Sequence, residues 1–77
     1  MDVTEDLTTR QREVLAALER LTADHGYPPT LRELGAEVGL SSASSVWAHV
    51  HVLEQAELIA RHPGRPRTTR PVRRDVT

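Results

Sequence analysis

Residues 26–42 hold two helix stops and two helix starts, and this punctuation constrains the fold more than any other feature. Gly26 offers a left-handed residue that ends a helix, and Pro28-Pro29 blocks its continuation. Thr30 then supplies a cap, with Glu33 three residues on as the other half of a capping box. Gly39 stops this second helix after about two turns. Ser41 and Ser42 are the expected caps of a third helix. The pattern is three helices joined by tight turns.

The flanking segments set the extents. Thr8 and Gln11 form a capping box for a first helix expected over about residues 9–24. Its apolar positions Val14, Leu15, Leu18 and Leu21 recur at helical spacing. Leu31, Leu34 and Val38 stripe the second helix, and Leu40 turns inward beside it. Val46, Val50 and Leu53 stripe the third, which should end near Ala56. Beyond it, Leu58–Arg61 reads as a short strand and residues 62–66 as a turn. Residues 67–72 read as the return strand, limited to an edge by Pro66 and Pro71. The expected fold is mainly α with a small β-hairpin, a three-helix winged helix-turn-helix over residues 7–72. Residues 1–6 and the basic tail 73–77 are expected to be flexible. The apolar residues named, with Leu7, Leu58 and Ile59, make a core too small to enclose an active site.

Charge and missing residue types narrow the function. All ten basic residues are arginines. Without lysine, a lysine base, a Schiff base and a P-loop lysine are excluded from this chain. Without cysteine, so are disulfides and thiolate metal sites. His49 and His51 are two apart, so they point to different sides of a helix and make a poor metal pair. No Gly-x-Ser-x-Gly elbow surrounds the serines. A non-enzyme with no cofactor and no metal is expected. No apolar run approaches the ~18 residues of a membrane span, and no signal peptide opens the chain, so a cytoplasmic, nucleoid-associated location is expected. Residues 1–57 carry four arginines against ten acids, whereas residues 58–77 carry six against Asp75 alone. A basic end on an acidic body suits nucleic acid or another acidic surface; it is also what a solvated tail looks like.

The layout ties shape to chemistry. A helix fits the major groove and reads base edges from its N-terminal turn. Arg65 and Arg67 flank the wing turn and are candidates for phosphate or the minor groove. Arg10, Thr30, Arg32 and Ser41 stand at helix starts, where phosphates are readily held. Arg70, with Arg73 and Arg74, adds non-specific affinity, while Arg12 and Arg20 read as solvated.

Several stretches carry a family resemblance: Leu7-Thr8-Thr9-Arg10-Gln11, Gly26-Tyr27-Pro28-Pro29-Thr30, Leu34-Gly35, Val38-Gly39-Leu40-Ser41-Ser42, Ser44-Ser45-Val46 and Arg65-Pro66-Arg67. In this order and spacing they resemble the N-terminal DNA-binding domain of the LexA family of bacterial SOS repressors, in its actinobacterial form. The resemblance covers about residues 7–72. It implies a winged helix whose third helix reads a palindromic operator from Ser42, Ser44, Ser45, Trp47 and Ala48. The serine hydroxyls suit either kind of base edge, or they only cap and solubilise the helix.

Trp47 departs from the family pattern, in which a small or polar residue is more usual. Three readings stay open: contact with a thymine methyl or a sugar, an anchor for a protein partner, or a side chain folded onto the wing to finish the core. The resemblance also implies that a complete repressor cleaves itself with a serine–lysine dyad at an Ala-Gly bond. This chain has neither a lysine nor an Ala-Gly pair. A transcriptional regulator module without autoproteolysis is therefore expected, bound to double-stranded DNA as a weak homodimer or with a protein partner. The alternative is a protein-interaction winged helix that docks onto a transcription factor or polymerase subunit.

Overall fold

The computed structural model describes residues 7–62, 64–65 and 67–72. The expectations for residues 1–6 and 73–77, Arg73 and Arg74 among them, lie outside the described residues. Helix α1 spans Thr9–His25 and α2 spans Leu31–Val38. Helix α3 spans Ala43–Gln55, and two short strands follow, β1 at Ile59–Ala60 and β2 at Arg70–Pro71.

The first two helix starts obey the sequence pattern. The Gln11 amide N–H donates to the Thr8 hydroxyl at 3.1 Å, and Thr8 N–H donates back to Gln11 Oε1 at 3.0 Å. Thr30 and Glu33 repeat the reciprocal pair at 3.1 and 2.9 Å. Gly39 ends α2 with φ of 77°, and the next N–H, of Leu40, bonds the Gly35 carbonyl at 2.8 Å.

The third start departs from expectation. Ser42 occupies the N-cap, but neither it nor Ser41 supplies a side-chain cap bond. The backbone explains it: Ser42 has φ −107° and ψ 128°, whereas Thr8 and Thr30 sit near −70° and 164°. That rotation carries the hydroxyl away from the free N–H groups of the first turn.

The core gathers Val14, Ala17 and Leu18 of α1, Leu34 of α2, and Val46, Val50 and Leu53 of α3, closed by Leu7, Leu58 and Ile59. Five expected members, Leu15, Leu21, Leu31, Val38 and Leu40, are only half-buried at its margin. Ala17 takes a central place instead, because its small side chain lets α1 lie close to its neighbours. Helices α2 and α3 approach closely at buried Gly35. A Cβ there would meet Val46 Cγ2 at 2.7 Å and the Leu40 carbonyl at 3.1 Å. Glycine at this point sets how near α2 and α3 come.

The hairpin is shorter than the expected strands. β1 and β2 pair antiparallel, Ile59 with Pro71 and Ala60 with Arg70, and Val72 N–H bonds the Leu58 carbonyl at 2.9 Å. Beyond Ala60 a side chain replaces the ladder. The Thr68 hydroxyl accepts from His62 N–H at 3.0 Å and lies 3.1 and 2.9 Å from the His62 and Arg65 carbonyls. Arg67 adopts a positive φ of 58° within this turn.

Candidate nucleic-acid interface

The serine-rich start of α3 faces outward. Ser41, Ser42, Ala43, Ser44, Trp47 and Ala48 are exposed, and Ser45 is half-buried. Their exposure follows from the stripe Val46, Val50 and Leu53, which turns the opposite side of the helix into the core.

Trp47 is not a core residue. It is 39% exposed, so of its three open readings the one in which it finishes the core is set aside. Part of that reading survives in altered form, because an arginine at the foot of the wing reaches to the indole. The Arg61 guanidinium lies 3.9 Å from the ring centroid, and its Nε donates to Glu54 Oε1 at 3.3 Å. His51, one turn along α3, meets the indole edge-on at 5.4 Å. Sequence reasoning gave Arg61 no role, since nothing local marks its contact with a residue fourteen positions away.

Two shallow clefts collect most of the remaining candidates. One, of about 290 Å³, is lined by Leu31, Arg32, Ser41, Ser42 and Val46, between α2 and the start of α3. The other, of about 220 Å³, is lined by Thr30, Leu31, Arg61, His62, Arg65 and Arg67, between α2 and the wing. Both fall below the ~300–1,000 Å³ of small-molecule pockets. They share Leu31, so the first turn of α2 separates two neighbouring grooves, the one beside the wing the more polar. Arg70 is exposed on β2 and lines neither of them.

Two of the predicted phosphate ligands are occupied within the protein. Arg67 grips Glu33 with both terminal nitrogens, at 2.9 and 3.0 Å, and lies 5.1 Å above the Tyr27 ring. This contact, and after it the Thr30 amide, holds the Glu33 carboxyl below its ordinary pKa; the Glu33 carboxylate in turn raises that of Arg67. Arg10 donates to the Val38 carbonyl at 2.8 Å and to Glu13 at 3.2 Å, so it closes the C-terminal end of α2. Arg20, expected to be solvated, pairs with Glu37. Among the described residues no group of three metal-ligating side chains comes together, and no helix is long and apolar enough to cross a membrane.

Three helices with the second and third in tight succession, followed by a two-stranded hairpin, define a winged helix-turn-helix module. A family model described as LexA DNA binding domain matches residues 4–68, so the chain belongs to that family. It is 49% identical over 59 residues to the LexA repressor of Lacticaseibacillus casei, covering 77% of this chain and 28% of that protein. It is 47% identical over 62 residues to LexA repressor 2 of Nocardia farcinica, covering 80% and 26%. It is 45% identical over 64 residues to the LexA repressor of Mycobacteroides abscessus, covering 83% and 29%. The chain thus spans little more than a quarter of the length of these relatives.

Proposed function

We propose that this module is a sequence-specific, double-stranded-DNA-binding transcriptional regulator of the repressor type. The observation that carries the reading is the adjacency of three surfaces: the outward serine face of α3, the α2–α3 cleft with Arg32, and the α2–wing cleft with Arg65. Helix α3 enters the major groove. Ser42, Ser44, Ser45, Trp47 and Ala48 meet base edges. Arg32, Ser41 and Thr30 meet phosphates beside the α2 start, and Arg65 meets the backbone next to the wing. Arg70 adds charge at longer range. Arg10 and Arg67 stay with their protein partners and hold the scaffold.

The relatives' names support the repressor reading, and the operator is taken to be palindromic, bound by two copies. The self-cleaving dyad of a full repressor is no part of these 77 residues, which contain no lysine. One observation favours a second reading: Trp47 and Tyr27 are 39% and 48% exposed, as anchors for a protein partner would be.

Selection of bound duplexes from a random pool at physiological salt, followed by affinity measurement, tests the proposal. A palindromic motif bound at least ~10³-fold more tightly than random duplex is expected. Equal affinity for all duplexes would overturn it and leave the protein-docking reading.

A further inference from the structure

The reading face of α3 has an unusual chemistry for a helix in the major groove. Helix α3 reads Ala43-Ser44-Ser45-Val46-Trp47-Ala48-His49-Val50-His51-Val52-Leu53-Glu54-Gln55 and contains no arginine, lysine or asparagine. Its single carboxylate, Glu54, is engaged by Arg61. Guanine presents two acceptors in the groove and is met best by a paired donor from Arg or Lys; adenine is met by Asn or Gln. The one amide, Gln55, lies at the last position, about 16 Å along the axis from Ser44. What the first two turns turn outward is the methyls of Ala43 and Ala48, the Ser44 hydroxyl and the Trp47 indole. The hydroxyl serves donors and acceptors alike, so it discriminates weakly. The two methyls are apolar and the indole is apolar but for one N–H donor, and the one apolar feature of a base edge in the groove is the C5 methyl of thymine.

The indole is also held still. Arg61 lies over one face at 3.9 Å and His51 meets the ring edge-on at 5.4 Å, while Arg61 Nε donates to Glu54 Oε1. A large ring clamped in this way loses little conformational entropy on binding. We infer that this face discriminates operators by contact with thymine C5 methyls, with Trp47 at the centre of the contact and Arg61 as its positioning residue. The inference rests on the DNA-binding reading above and names the feature of the operator that is read.

The test replaces each thymine of the selected motif by deoxyuridine, which removes only the methyl, and each guanine by 7-deazaguanine, which removes an acceptor. Affinities are measured by fluorescence anisotropy. At least one uracil in each half-site should weaken wild-type binding roughly fourfold, the worth of one buried methyl. No 7-deazaguanine within reach of α3 should cost more. The uracil penalty should vanish in Trp47→Ala and shrink in Arg61→Ala. Wild-type binding that ignores every uracil, a half-site without thymine, or a penalty undiminished in Trp47→Ala would each overturn the inference. Those outcomes leave the DNA-binding reading standing. Equal binding of every duplex, motif and random alike, overturns both.

Discussion

The starts of α2 and α3 are built from the same kind of residue and are used in opposite ways. At α2, Thr30 and Glu33 satisfy each other's backbone groups, and Glu33 also ties down Arg67. At α3, Ser42 sits in the cap position without capping, and its neighbours Ser41 and Ser44 face solvent. A helix start that closes on itself serves the scaffold. One that leaves its hydroxyls uncommitted has them available for a ligand. The contrast follows from backbone angle rather than residue type, since ψ differs between 164° at Thr30 and 128° at Ser42.

The contact that sets the two starts in register breaks most easily. Gly35→Ala would drive a methyl to within 2.7 Å of Val46 Cγ2 and against the Leu40 carbonyl. A loss of about 1–3 kcal/mol is expected from overpacking. Chemical denaturation measures it, and an unchanged midpoint would mean that α2 and α3 separate freely. Next in size is a paired comparison. Thr30→Ala should cost about 1 kcal/mol, the usual value of a cap, while Ser42→Ala should stay within about 0.5 kcal/mol. Equal losses would erase the distinction between the two starts.

The sequence makes these local devices legible because each spans three or four residues. Thr8 with Gln11, Thr30 with Glu33, and the stops at Gly26 and Gly39 are visible as spacings, and the three helices follow from them. The failures share a different property. Ser42 has the right side chain on the wrong backbone. Arg67 with Glu33, Arg10 with the Val38 carbonyl, and Arg61 with Trp47 join positions far apart in the chain. Only the packed helices bring such partners together, so residue type alone does not show that Arg10 and Arg67 already hold partners within the protein, or that Arg61 meets Trp47. The hairpin length is misread for a related reason, since the Thr68 hydroxyl takes up backbone groups that the strand pattern assigns to a ladder.

The same difference divides the two wing arginines. Arg65 lines the α2–wing cleft, whereas Arg67 is already held by a carboxylate. Arg65→Ala should therefore reduce the salt dependence of DNA binding by about one unit of slope. Arg67→Ala should change the slope less, because its charge is compensated in the free protein. Titrations at several salt concentrations decide it, and equal changes would place both arginines on phosphate.

The smallest effect expected comes from the Glu33 carboxyl, and it separates cap from latch. Glutamine at this position can keep the hydrogen bond to the Thr30 N–H, since Gln serves as well as Glu in a capping box. It removes the charge that grips Arg67. The folded-state pKa of Glu33 is lowered, first by the Arg67 hydrogen bond and then by the Thr30 amide. A lowered carboxyl contributes stability that is present in full above its unfolded value and is lost as pH falls through the folded one. Both partners are near half-exposed, which keeps the contribution modest and salt-sensitive. Glu33→Gln should accordingly leave stability at neutral pH less affected than Thr30→Ala does, and should flatten part of the decline on acidification. Thermal melts across the acid range, in low and high salt, measure this. A variant that declines with acid as steeply as the parent would show that the Arg67 grip contributes nothing to holding the wing against α2.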